Sequence, residues 1–430
     1  MQKNFSPGIK FEEFTLSNGL RVILSNKPGI PNVTVNTAFH IGSKDEEEGK
    51  SGLAHLFEHL MFVESPNVPK GMFDKILNMN GGDSNAFTTW DYTNYHITLP
   101  SNKLELALWL DSDRISGFNI SEESLNVQKN VVMEENLQVH ENVPYGSLEK
   151  ESSKRLFDFN GYKIPIIGLM DDLKNTTLED VNQFFQKYYS PDNAVLSIVG
   201  DIDIDKTAYQ VENYYSDIPA GKKIERKLFQ DKKIKEEIKD IIYDDIELPA
   251  LFIYYKIPEY ATKEYYALKI FNTILSEGES SKFYKELVYK KQLVSEIDSY
   301  CFGMEKAGVF SISAFAIQNI SLDIIESEID NILNDLSNNV IPDDEIIKTK
   351  NILATSIASR NQYMHYIAER ISFYKIFLND ASKINSEINN YLSITKEEIT
   401  EIVRKYIIKN NRVVLYYLPK ENISKGLQDE

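Results

Sequence analysis

Cysteine is nearly missing from this chain: Cys301 is the single one in 430 residues. No internal disulfide can form, and no cysteine cluster can hold a metal ion. Cys301 itself reads as a half-buried structural thiol. Positive charge is also in deficit, with 47 Lys and Arg against 65 Asp and Glu, for a net charge of −18. That balance argues against nucleic acid as a partner, which calls for a basic face, and suits peptides carrying some positive charge. Long apolar runs are lacking. Charges interrupt every candidate well before the roughly 20 residues a membrane span needs. Residues 1–7 have neither an apolar core segment nor an Arg-rich amphipathic pattern. The chain therefore reads as cytoplasmic as written, or periplasmic if an export leader has been removed. The rest is ordinary: 42% hydrophobic and 26% charged residues, as in globular proteins with real cores, and a length that suits two or three domains.

Histidine is scarce too, six in all, so the placement of any two carries information. His55 and His59 sit four residues apart in His55-Leu56-Phe57-Glu58-His59. On a helix, positions i and i+4 share one face, so both imidazoles can point at one ion, and Glu58 borders the same face. The flanks Gly52-Leu53-Ala54 and Leu60-Met61-Phe62 read as a buried helix, an odd setting for two imidazoles and a carboxylate unless something satisfies them. A zinc ion would: it needs one further protein ligand and an open position for water, and a carboxylate beside that water can take its proton. The H-x-x-E-H order is that of the inverzincins. His40, His96, His140 and His365 show no ligand spacing and read as structural. Core packing is the expectation for Phe57 and Tyr95.

The third ligand should come from another element. Residues 121–142 read as a helix opened by Ser121-Glu122-Glu123-Ser124, a cap followed by early acids. Val131 and Val139 mark an apolar stripe with Glu135 midway between them. Glu135 is therefore expected on the inward face, as the third ligand. Glu134, about 100° away around the helix, is expected to face elsewhere.

Along the chain, 14–24 reads as strand, Asn-Gly turn and strand, and 33–40 as another strand. Helices follow near 50–63, 69–80, 101–115 and 178–189, the last capped by Thr176 or Thr177, before a strand at 194–200. Residues 219–237 carry six lysines among other charges and read as a solvated linker. The second half repeats this order loosely: strands at 250–256, 308–315 and 412–418, and helices at 263–277, 281–289, 322–337 and within 343–377. Such alternation points to an α+β fold, with domains at 1–218 and 238–430.

The chain resembles the pitrilysin-type metallopeptidases, the family of mitochondrial processing peptidase and insulin-degrading enzyme. The resemblance rests on Gly42-Ser43-Lys44-Asp45-Glu46 and Gly52 through Phe62; on Gly81-Gly82, Asn85-Ala86-Phe87-Thr88 and Thr93-Asn94-Tyr95; and on Val131-Val132-Met133-Glu134-Glu135. Pro144-Tyr145-Gly146, Tyr189 through Asn193 and Val199-Gly200-Asp201 add later landmarks. The resemblance implies two similar domains, each a mostly antiparallel sheet with helices packed on one face, and zinc only in the first. It implies one zinc per chain on His55, His59 and Glu135, with Glu58 as general base. It also implies an extended peptide substrate added as a strand near Asn85, Ala86, Phe87 and Thr88.

Two departures from the family pattern bear on function. Gln128 stands where many members carry a glutamate, so that position either tunes the metal site through hydrogen bonds or is a plain polar residue. Val288 and Ser295 stand where members present an Arg and a Tyr that bind substrate and stabilise the oxyanion; Tyr289 and Tyr300 are near but out of register. The resulting expectation is a zinc-dependent endopeptidase acting on unfolded peptides in a chamber formed by two subunits. The partner would be a zinc-free homologous subunit carrying the Arg/Tyr pair, or a second copy of this chain. The alternative is a non-catalytic scaffold subunit of a larger complex.

Overall fold

A computed structural model of the chain describes residues 8–339 and 341–420. The expectation about residues 1–7 lies outside them. Among the described residues no helix is long and apolar enough to cross a membrane.

The chain forms two compact units, and neither is a single stretch of sequence. One comprises residues up to 136 with 160–228 and 357–387; the other comprises 137–159, 229–356 and residues from 388 onward. This differs from the contiguous division at 219–237 read from the sequence.

The first unit is built on a six-stranded sheet: β1 (Glu12–Thr15), β2 (Arg21–Asn26), β3 (Asn32–Phe39), β4 (Asp83–Thr88), β5 (Thr93–Pro100) and β6 (Ala194–Gly200). Their spatial order is β1-β2-β6-β3-β5-β4. Pairing is antiparallel throughout except for the parallel β2–β6 ladder. The β1–β2 turn is set by Gly19 at φ +89°, and its Cβ-free backbone passes tightly over Asp192. β4 lies at an edge, paired with β5 alone.

Strand β3, expected at 33–40, is buried on both faces. Val33, Val35 and Phe39 enter the apolar core. Thr34 and Asn36, on the opposite face, are equally buried, because a helix far along the chain, Met364–Leu378, packs there against β3 and β6. The polar groups of that second interface satisfy one another, as buried polar groups must. Asn36 Nδ2 donates to Asn94 Oδ1 (3.0 Å) and Ser372 Oγ (3.2 Å), and Ser197 Oγ lies 2.8 Å from Ser372 Oγ. Helices expected on one face of the sheet are thus joined by one on the other.

The second unit carries β7 (Ile238–Asp244), β8 (Ala250–Ile257), β9 (Val294–Gly303), β10 (Gly308–Ala316) and β11 (Arg412–Pro419), in the order β7-β11-β8-β10-β9. β7–β11 is parallel and the other ladders are antiparallel. Strand for strand this repeats the first sheet without β1. Residues 219–237 form no regular element, as expected. They are not merely solvated, however. Arg226 reaches Asp45 (3.1 Å), the carbonyl of His40 (2.7 Å) and Asn193 Oδ1 (3.0 Å), and Lys227 donates to the carbonyl of Glu46.

Candidate metal centre

The H-x-x-E-H segment forms the two-turn helix Leu53–Leu60. Leu53, Ala54, Leu56, Phe57 and Leu60 are buried. Phe57 anchors the inward side among Phe118, Phe184 and Tyr189, with ring centroids 4.8, 5.3 and 4.6 Å away. That packing fixes which way the opposite side points. His55 and His59 project from it with ring centroids 4.9 Å apart.

Glu135 comes from the helix Glu122–Asn136, which continues into a wider helical turn over Leu137–Glu141. Its carboxylate lies 3.8 Å from His55 Nε2 and 3.4 Å from His59 Nε2. Donor atoms of the three residues all fall within 4.8 Å of one another, the one such cluster among the described residues. Two imidazoles and a carboxylate on two elements are a donor set that suits zinc, and three protein ligands leave a position for water.

The route by which the sequence pointed to Glu135 needs correction. Val131 and Val139 are not buried; they are 44% and 52% exposed. The helix buries Leu125 and Val132 instead, so Glu135 sits on the flank turned toward the imidazoles. Glu134 is exposed.

Glu58 is held by a contact that spacing could not announce. Thr88, the last residue of β4, donates its hydroxyl to Glu58 Oε2 at 2.6 Å. Burial pushes the Glu58 carboxyl above its ordinary range and the nearby Glu135 charge adds to this, while the Thr88 bond opposes it. Burial also depresses the His59 imidazole, with Glu135 acting the other way. A neutral imidazole is the form that ligates metal.

An open cleft of about 440 Å³ adjoins Glu58 and His59. Phe62 and Val63 give it apolar walls; Gln128, Asn85 and Ala86 also line it. Asn85, Ala86 and Thr88 thus come to the site along one edge strand, whereas Phe87 packs edge-on against Tyr92 at 5.5 Å. The remaining histidines lie elsewhere: His40 against Phe377 at 5.5 Å, His96 stacked on His365 at 5.8 Å. In the second unit Val288 is half-buried, Ser295 donates to the Phe315 carbonyl (3.3 Å), and Tyr289 and Tyr300 are largely exposed. Cys301 is fully buried.

Two family models match the chain: the insulinase (peptidase family M16) model over residues 21–168 and the peptidase M16 inactive domain model over 175–353. A Helicobacter pylori protein named zinc protease PqqE is 29% identical over 419 residues, covering 95% of this chain and 93% of that protein. The uncharacterized zinc protease YmxG of Bacillus subtilis is 24% identical, covering 94% and 97%. A solved Helicobacter pylori protease superposes with a TM-score of 0.91 at 27% identity, covering 96% of this chain and all of that one. The fold also matches a chain of complex III2 from Candida albicans, with a TM-score of 0.78 at 17% identity, covering 95% of this chain and 96% of that one.

Proposed function

The chain belongs to the insulinase peptidase family M16, and on that premise we propose that it is a zinc-dependent endopeptidase that cleaves extended, unfolded peptides. The observation that carries this reading is the convergence of His55, His59 and Glu135 donor atoms within 4.8 Å, with Glu58 beside them. His55, His59 and Glu135 would hold one zinc ion. Bound there, zinc would polarise the scissile carbonyl and make water more acidic.

The chain's own residues supply the rest. The free edge of β4 pairs with the substrate backbone, which gives affinity with little sequence demand, and a side chain of the peptide enters the cleft over Phe62 and Val63. Glu58, as carboxylate, takes a proton as the water oxygen bonds to the carbonyl carbon. It then delivers that proton to the amide nitrogen as the carbon–nitrogen bond breaks. Thr88 keeps one Glu58 oxygen aimed during both transfers. Gln128, on the cleft wall, can hydrogen-bond substrate or a metal ligand but supplies no charge.

Neither Val288 nor Ser295 offers a guanidinium or phenol to a developing oxyanion, and one such donor is worth about 10²–10³ in turnover. The proposed working form is therefore a heterodimer with a zinc-free homologous subunit that carries Arg and Tyr at those positions. The test is zinc content together with cleavage of an unstructured peptide, with and without chelator, by the chain alone and after titration with such a partner. Zinc near one per chain, chelator-sensitive cleavage and a rise of about 10²-fold on adding the partner are expected. Full activity after complete zinc removal would overturn the peptidase assignment. Strong activity alone, unchanged by the partner and by Tyr289→Phe and Tyr300→Phe, would overturn the heterodimer. A scaffold role predicts no zinc and no cleavage in any arm.

A further inference from the structure

The helix that carries His55, Glu58 and His59 is short and begins without a cap of its own. Its N-cap position is Gly52, left-handed at φ +88°, with no side chain to offer the first-turn N–H groups. Two helical turns are too few to be stable in isolation, and the first N–H groups of any helix need partners. Glu46, six residues upstream and buried, supplies them: its Oε2 accepts from Gly52 N–H at 2.9 Å and its Oε1 from Ala54 N–H at 2.7 Å.

Glu46 is itself immobilised. Its N–H donates to the carbonyl of Ser43 (3.3 Å), and its carbonyl accepts from Lys227. The preceding Asp45 is buried between Lys44 (3.2 Å) and Arg226 (3.1 Å). On the other side of the helix start, a Cβ on Gly52 would stand 2.6 Å from the carbonyl oxygen of Ile167, so the backbone there is clamped as well. Ala54 directly precedes His55. Fixing the Ala54 N–H fixes the rotation of the helix about its axis, and hence where both imidazoles point.

We infer that Glu46 is a positioning residue of the metal centre: through its two bonds to Gly52 and Ala54 it sets the phase of the His55–His59 helix against Glu135. This rests on the zinc reading above and adds to it a group that touches neither metal nor substrate.

The test uses the full chain held above pH about 8, where the raised Glu46 carboxyl is ionised, with the isosteric E46Q, which replaces one acceptor with a donor facing an N–H. The control is T395A, which removes an ordinary N-cap, Thr395 accepting from Glu398 N–H at 3.2 Å, from a helix of the other unit. Zinc affinity is read by chelator competition and melting temperature on the zinc-free forms. Both variants are expected to lower the melting temperature, but only E46Q should weaken zinc binding, by about 10–100-fold, as loss of a group that orients metal ligands typically does. E46D, shorter but still anionic, should recover part of that loss; it also serves if E46Q does not fold. Zinc affinity in E46Q, or in E46D should E46Q not fold, equal to that of the wild type would overturn the inference and leave the peptidase reading intact. A wild-type chain that takes up no zinc would overturn both.

Discussion

Apart from β1, the two sheets share one strand order and one pattern of parallel and antiparallel ladders, yet among the described residues only the first unit brings together a group of side chains that could hold a metal ion. The difference lies in the helix that follows the equivalent strands β3 and β8. After β3 it is Leu53–Leu60, with two imidazoles and a carboxylate turned out of the core. After β8 it is Lys263–Ser276, which buries Tyr265, Tyr266, Leu268, Ile270, Phe271, Ile274 and Leu275. The starts of the two helices differ as well. Thr262 caps the second helix directly, its side chain accepting from Tyr265 N–H, whereas the first relies on Glu46. One scaffold thus serves two ends. In the second unit the helix is committed to packing; in the first, packing is confined to one side and the opening is braced from outside, leaving the other side to present two imidazoles and a carboxylate.

Substitutions that should affect only one helix sharpen this contrast. The largest effect is expected for Glu58→Gln, which should retain zinc and bind peptide but lose turnover by about 10²–10⁴-fold, the range of general acid–base catalysis. Turnover near the wild-type rate would remove Glu58 as the base. His59→Ala and Phe271→Ala form a crossed pair. The former should leave far less than one zinc per chain in a folded protein, since two donors hold zinc poorly. The latter should keep its zinc yet lose about 3–5 kcal/mol of stability in denaturant titration, as buried Phe truncations do. If both variants lose both properties, the division of labour is wrong.

A smaller effect is expected for Thr88→Val. It keeps the shape and removes the bond that lowers the Glu58 pKa, so the acid limb of the pH–rate profile should move upward, with turnover down by about tenfold for a hydrogen bond to a charged group. An unmoved acid limb would show that Thr88 does not hold the base.

The gentlest test separates the two caps. Burial raises the Glu46 carboxyl from 4.5 to about 8, against the pull of its two N–H bonds, whereas a threonine cap does not titrate. Between those values the folded state holds more protons than the unfolded one, so stability should fall as pH rises from about 4.5 to about 8. Glu46→Gln should flatten that part of the stability–pH curve, and Thr262→Ala should lower the curve without changing its slope.

What was legible in the sequence follows from the range of each signal. His55, Glu58 and His59 lie within one turn of helix, where spacing translates directly into a shared face. Glu135 was reached through Val131 and Val139, which turn out to be exposed; its proximity to the imidazoles depends on how two helices cross, which periodicity along one helix does not encode. The Thr88–Glu58 bond joins a strand to a helix and leaves no local trace. Glu46 left a faint one: an acid shortly before a helix whose N-cap position is glycine. Strands β4 and β5 carry few β-branched runs and gave no periodic signal, whereas β3 was legible at 33–40 although it is buried on both faces. Arg226 and Lys227 were hidden within a lysine-rich stretch whose composition resembles solvated linker.

The helix Met364–Leu378 has a further consequence, one of timing. It closes the second face of the first sheet, covering Asn36 and Ser197, but it leaves the ribosome only after residues 137–159 and 229–356 of the other unit have been made. Until then the first sheet has one finished face and one raw one, its buried amides and hydroxyls wet. The first unit therefore cannot mature as an independent early product of translation. Cutting the gene at 219–237 would yield a first half that lacks its own last helix, and a complementation experiment with two fragments should succeed only when residues 357–387 travel with the N-terminal piece or are supplied to it in trans.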